Sequence, residues 1–279
     1  MRALVLGGGG VAGIGWELGI LAGLQEAGVD LTAADRLIGT SAGAAVAAQV
    51  TSGYALEDLY DRQLSADLLS SEIAASFDPE ELMREFGAAL ADAEPGPQLL
   101  RALGSYALRA RTVPEAVRRA VIERRLPSHD WPNRDLRIAA VDAATGTPRV
   151  FTPEDEVSLV DAVAASCAVP GVWPPVSIAG ARYIDGGVRS SFNLDLAEGC
   201  DVVVVLAPTP ELPFAAPDAR AGADAVRQSA RVLTIGADEH SLHEMGANPL
   251  DPASAKPAAI AGRAQAASHV ADVKAVWGE

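Results

Sequence analysis

The sequence predicts an α/β fold on a mostly parallel sheet, and three observations carry that prediction. The chain opens with strand, glycine loop, helix, strand, sharp turn and helix in immediate succession. Asp201-Val202-Val203-Val204-Val205-Leu206 reads as a strand buried on both faces, as strands of parallel sheets are. Between such strands, apolar residues recur at helical spacing, as in Ile14, Leu18, Leu21, Ala22 and Leu24.

Taken in order, Ala3-Leu4-Val5-Leu6 is a short buried strand. Gly7-Gly8-Gly9-Gly10-Val11-Ala12-Gly13 follows at once, and Gly28 stops the helix after it. Arg36-Leu37-Ile38 is the second strand, ended by Gly39-Thr40-Ser41-Ala42-Gly43 and an Ala/Val-rich helix over 44–50. Strand, helix and parallel strand form a right-handed unit whose two loops open at the same carboxyl edge of the sheet. About 54–126 reads as a helical insertion or flank. Leu56, Leu59 and Tyr60 fit one helix, Asp78-Pro79-Glu80-Glu81 starts another, Pro95-Gly96-Pro97 breaks the chain, and helices follow near 98–110 and 114–125. Strands resume at Leu136–Val141 and Pro148–Phe151, separated by the turn residues Thr145-Gly146-Thr147. A helix over Leu159–Ala168 ends before Pro170, and Tyr183-Ile184 leads into Asp185-Gly186-Gly187. Pro208–Pro217 is loop, and about 215–279 is a helical C-terminal region broken at Asn248-Pro249. No internal repeat or long linker divides the chain, so residues 1–279 are expected to form a single domain.

Composition narrows the function. A net charge of −15 repels nucleic-acid phosphates, so no nucleic-acid partner is expected. The same charge opposes electrostatic docking on anionic lipid and leaves transient hydrophobic contact with a membrane surface open. The two cysteines, Cys167 and Cys200, suggest neither a disulfide framework nor a metal site. No signal peptide or membrane-spanning run is visible, which makes a cytoplasmic protein the expectation.

The Gly39-x-Ser41-x-Gly43 spacing is that of a nucleophile elbow. There a serine sits on a strained strand-to-helix turn, and a Cβ at either glycine would clash. A serine nucleophile also needs a base and an oxyanion site. Gly8, Gly9 and Gly10 can offer unencumbered N–H groups to an oxyanion beside Ser41. The same loop fits Gly8-x-Gly10-x-x-Gly13, a dinucleotide fingerprint, so a nucleotide-binding module is the alternative. That alternative wants an acid at the end of the second strand, where Thr40-Ser41 stand, while Asp35 lies at its beginning. For the base, two arrangements are open. One is a triad through His240, His243 or His269; the other is direct contact between Asp185 and Ser41. His240 and His243 fit a solvated helix face, and His129 and His269 read as surface residues.

Gly8-Gly9-Gly10-Val11-Ala12-Gly13, Gly39-Thr40-Ser41-Ala42-Gly43 and Asp185-Gly186-Gly187 together resemble the signature blocks of the patatin-like phospholipase family. A fourth block agrees: Ala165-Ser166-Cys167-Ala168-Val169-Pro170 and then Pro174-Pro175-Val176. The resemblance covers about the first 200 residues. It implies a three-layer α/β/α, modified α/β-hydrolase fold and a Ser-Asp dyad without histidine. It further implies Ser41 as nucleophile, Asp185 as general base, and Gly8, Gly9 and Gly10 as oxyanion donors. Gly13, Gly39, Gly43, Gly186 and Gly187 are the remaining motif positions. The implied reaction is hydrolysis of lipid acyl esters, with neither metal nor cofactor. The family's glycine loop usually carries Arg or Lys where this chain has Ala12. That departure sets neutral-lipid and short-chain esters beside phospholipid, and keeps an inactive lipid-binding member among the readings.

Overall fold

The computed structural model describes residues 1–65, 72–75, 79–91, 93–94, 96–212 and 215–278. Strands β1 (Arg2–Leu6), β2 (Arg36–Thr40), β3 (Asp135–Asp142), β7 (Val202–Ala207) and β8 (Arg231–Gly236) run parallel in the order β3, β2, β1, β7, β8. Two antiparallel strands join at β3, β4 (Pro148–Phe151) and β6 (Ala181–Asp185), and β5 (Val176–Ile178) pairs antiparallel with β6 beyond them.

The central parallel strands, β7 and β1 after Arg2, are apolar because both faces are covered. Successive side chains of a strand point to opposite sides. Leu4, Leu6, Val204 and Leu206 enter one core, with Trp16, Leu18, Val46 and Val163. Ala3, Val5, Val203 and Val205 enter a second, with Leu194, Ala197 and Val226. The result is the expected three-layer α/β/α arrangement. On the first face lie α1 (Gly10–Glu26), α2 (Ala42–Val50) and α3 (Leu56–Leu64). The flank continues with α4 (Pro79–Leu90), α5 (Pro97–Arg109) and α6 (Glu115–Arg125), followed by α7 (Leu159–Ser166) after β4. Asp78, the expected start of α4, and Pro95, in the expected break, lie outside the described residues, as do Pro213 and Phe214 of the expected loop.

The C-terminal region departs from expectation. After α8 (Pro217–Ser229), Arg231–Gly236 is not helical but forms β8, the edge strand beside β7. An edge strand is half solvated, so it lacks the continuous apolar run that marks β7, and its Ala-rich flanks read as helix. Beyond it come α9 (Glu239–Met245), α10 (Ala255–Ala266) and α11 (Val270–Trp277). Helix α10 packs backbone to backbone on α1: a Cβ on Gly15 or Gly19 would lie 2.3 or 2.2 Å from the carbonyl oxygens of Ala255 or Ala259. This contact carries the loop at Asn248–Leu250 across the mouth of the glycine loop, where the Ala12 N–H donates to the Pro249 carbonyl at 3.0 Å. No helix among the described residues is long and apolar enough to cross a membrane.

Candidate active site

Register alone brings Ser41 and Asp185 together. Ile138 and Ala139 of β3 pair with β2 and β4 at once, and Ala140 and Val141 pair with β4 and β6 at once. A strand has two edges, so β6 takes up the β2 edge of β3 where β2 stops. Thr40 sits opposite Ala139 and Asp185 opposite Ala140, in consecutive slots of that edge. Ser41, just past the end of β2, and Asp185, the last residue of β6, thus meet on one edge of β3 although 144 positions apart in sequence.

Ser41 has φ 55° and ψ −114°, a conformation that costs a non-glycine residue about 1–3 kcal/mol. Its neighbours hold it there. The Ser41 N–H donates to Ser166 Oγ at 2.9 Å, Ser166 Oγ donates to the Ala139 carbonyl at 2.6 Å, and Cys167 Sγ donates to the Ser41 carbonyl at 3.2 Å. The glycines meet the expected steric demand: a Cβ on Gly39 would lie 2.5 Å from Ala44 Cα, and one on Gly43 2.1 Å from the Leu6 carbonyl. The Gly43 N–H also donates to the Gly7 carbonyl at 2.9 Å, tying the elbow to the glycine loop.

Asp185 is buried. Its Oδ1 accepts the Gly187 N–H at 2.7 Å, which starts a short helical turn over Gly186–Val188. Its Oδ2 accepts no hydrogen bond of ordinary geometry among the described residues. Burial pushes the carboxyl up to about 7, against the smaller opposing pull of the neighbouring Ser41 hydroxyl and the Gly187 N–H. Gly186 packs against the Ala139 carbonyl, with no room for a Cβ.

The glycine loop lies beside the serine: a Cβ added at Gly8 would stand 3.7 Å from Ser41 Cβ. The Gly8 N–H is nevertheless engaged: it donates to the Ser191 carbonyl at 2.9 Å. This narrows the expected trio of donors. Gly9 and Gly10 N–H groups have no acceptor among the described residues, and Gly10 lines the pocket in front of Ser41 together with Ala42, the first residue of α2. Gly13 packs on Ala42 across the loop. The pocket has room for about one water molecule, and Arg118, Arg125, Cys167, Trp173 and Leu250 wall it.

The rival residues lie elsewhere. His129, His240 and His243 are exposed, and His269 contacts Gln265; no histidine lines the Ser41 pocket. Pro249 caps the start of α1, where a pyrophosphate would bind, and Asp35 accepts the Arg2 N–H at 2.6 Å. Ala12 is fully buried beneath the Pro249 crossing. No cluster of metal-binding side chains is found among the described residues.

Four features escaped the sequence reading. Ser166 and Cys167 brace the elbow, a role that their place in the fourth block does not reveal. Leu250 reaches the site from the unassigned C-terminal region. Arg118 and Arg125 are the two buried arginines among the four on α6, and nothing in the sequence tells which two are buried. Glu17 had a usable signal, being the first charged residue of an otherwise apolar α1. It is fully buried, accepts the Gly7 N–H at 2.8 Å, and burial raises its carboxyl well above the usual range.

The patatin-like phospholipase family model matches residues 4–198. The chain belongs to that family. Among solved structures, VipD from Legionella pneumophila aligns at 16% identity with a TM-score of 0.49, over 97% of this chain and 67% of VipD. The type III effector ExoU of Pseudomonas aeruginosa aligns at 18% identity with a TM-score of 0.42, over 97% of this chain and 53% of ExoU. No curated protein sequence matches the chain significantly.

Proposed function

We propose that this patatin-like protein hydrolyses lipid acyl esters through a Ser41–Asp185 dyad and a covalent acyl-serine. The observation that carries the reading is the carboxyl of Asp185. It is desolvated to a pKa of about 7, braced on one oxygen, and set beside a strained serine. An ordinary carboxylate is too weak a base for a hydroxyl; one poised near neutrality suits general-base work.

In the first half-reaction Ser41 Oγ attacks the ester carbonyl while its proton passes to Asp185. The oxyanion is held by N–H groups of Gly9 and Gly10, joined by that of Ala42. Collapse breaks the ester C–O bond, and the departing alcohol takes the proton from Asp185. In the second half-reaction water attacks the acyl-serine and gives its proton to Asp185. Ser41 then leaves with that proton, and the carboxylic acid is released. Both halves reuse one base, so neither a histidine nor a metal is required. The pocket is closed to an acyl chain as it stands, so substrate entry displaces a wall. Leu250 is a wall carried by the Asn248–Leu250 loop, as Val169 and Trp173 are by the segment after α7, and contact with a lipid surface is the natural occasion.

The test is hydrolysis of p-nitrophenyl butanoate by Ser41→Ala and Asp185→Asn, with fluorophosphonate labelling mapped by mass spectrometry. The reading expects label on Ser41 and loss of turnover in both variants. Unchanged rates in either variant, or label on another residue, would overturn it.

A further inference from the structure

The dyad leaves a buried cation unaccounted for. Arg118 of α6 keeps only 7% of its side chain exposed and lines the same pocket as Ser41. Its guanidinium lies 3.8 Å from the Trp173 ring centre, which fixes its plane. Nε and Nη1 make no hydrogen bond among the described residues. The nearest carboxylate, Glu72, stands 3.8 Å from Nη1 and is already engaged by Arg125 through two bonds of 2.9 and 2.8 Å. Among the described residues two guanidiniums therefore share one carboxylate, which leaves one positive charge in excess.

The remaining neighbours do not balance it. Burial holds the Cys167 thiol neutral, with its pKa pushed up to about 11. Burial and the like charge of Arg125 bring Arg118 down only to about 10, so it stays protonated at neutral pH. A buried guanidinium that shares its one carboxylate and leaves Nε and Nη1 without hydrogen bonds is costly. Its planar array of donors suits phosphate or carboxylate oxygens, and its stacking on Trp173 pre-pays the ordering.

We propose that Arg118 is the specificity-determining residue of the Ser41 site: its guanidinium binds an anionic oxygen group that the ester substrate carries near its scissile carbonyl. The proposal rests on Ser41 as the nucleophile.

Three soluble hexanoyl esters test it: dihexanoyl-glycerol phosphate, the hexanoyl ester of 3-hydroxypropanoate, and neutral dihexanoylglycerol. Arg118→Gln is expected to lower kcat/KM about 10- to 100-fold on an anionic ester, mainly through KM, and less than about 3-fold on the neutral one. Arg118→Lys, which keeps the charge, is expected to recover part of the loss and replaces the Gln variant if that fails to fold. Loss confined to the phosphate arm identifies phosphate, and loss confined to the carboxylate arm identifies carboxylate. Equal loss on all three esters, or none on either anion, would overturn the proposal. An activity-free arm separates it from the dyad: inorganic phosphate or hexanoate should raise the melting temperature of Ser41→Ala but not of Ser41→Ala/Arg118→Gln. Persistent hydrolysis by Ser41→Ala would sink the nucleophile assignment and leave that shift to decide the role of Arg118.

Discussion

Two buried carboxyls, Asp185 and Glu17, are held in the same way and placed for different ends. Each accepts one glycine N–H, at 2.7 and 2.8 Å, and each keeps a second oxygen without a hydrogen-bond partner among the described residues. Burial raises both. What differs is the surroundings. Asp185 ends an antiparallel strand in the slot next to Thr40, beside a hydroxyl that acts on it. Glu17 sits within α1, and the Gly7 N–H is the one group opposing its burial. The contrast shows that a raised pKa measures burial, and becomes chemistry only when a reacting group stands against the free oxygen.

The largest expected effect breaks this pair apart. Asp185→Asn and Ser41→Ala should each lower ester turnover by at least ~10³-fold, whereas Glu17→Gln should stay within about 3-fold of wild type. Steady-state kinetics on p-nitrophenyl butanoate decide it; a Glu17→Gln loss as deep as that of Asp185→Asn would erase the distinction.

Stability should unite what activity separates. A folded-state carboxyl with a raised pKa keeps its proton after the unfolded chain has lost it. Unfolding then releases a proton, so stability falls as pH rises from the unfolded pKa to the folded one. For Asp185 that window runs from 3.8 to about 7. At pH 8 the neutral variants Asp185→Asn and Glu17→Gln should therefore both melt above wild type. The gain for Asp185→Asn should be about 2–4 kcal/mol and should vanish near pH 4. Thermal melts at both pH values check this. A lower melting temperature for both variants at pH 8 would show that the carboxyls are charged and paired in the fold.

The smallest effect concerns the brace. Ser166→Ala removes the acceptor of the Ser41 N–H and should cost about 1–2 kcal/mol of stability, with a modest fall in kcat. An unchanged melt and rate would show that the elbow is strained without help from α7.

These contrasts also explain what was legible beforehand. The elbow, the glycine loop and Asp185-Gly186-Gly187 are local in sequence, and each has a steric reason to contain glycine. That Asp185 reaches Ser41 is a matter of register on β3, which no local pattern encodes; the family resemblance supplied it. Gly8 looked equivalent to Gly9 and Gly10, but its N–H is taken by Ser191 from a distant turn. Strand β8 was hidden because an edge strand carries a weak apolar signal. Leu250 enters the pocket from the stretch read as a helical C-terminal region and Arg118 from the flank, since which arginines of α6 are buried depends on tertiary packing.

The most direct test of Asp185 as the base is the pH dependence of Ser41 phosphonylation by a fluorophosphonate. Below pH about 7 the rate should rise roughly tenfold per pH unit and then level off, in wild type and in Glu17→Gln alike. In Asp185→Asn it should be flat and at least ~100-fold slower. Labelling at the wild-type rate in Asp185→Asn would contradict the account.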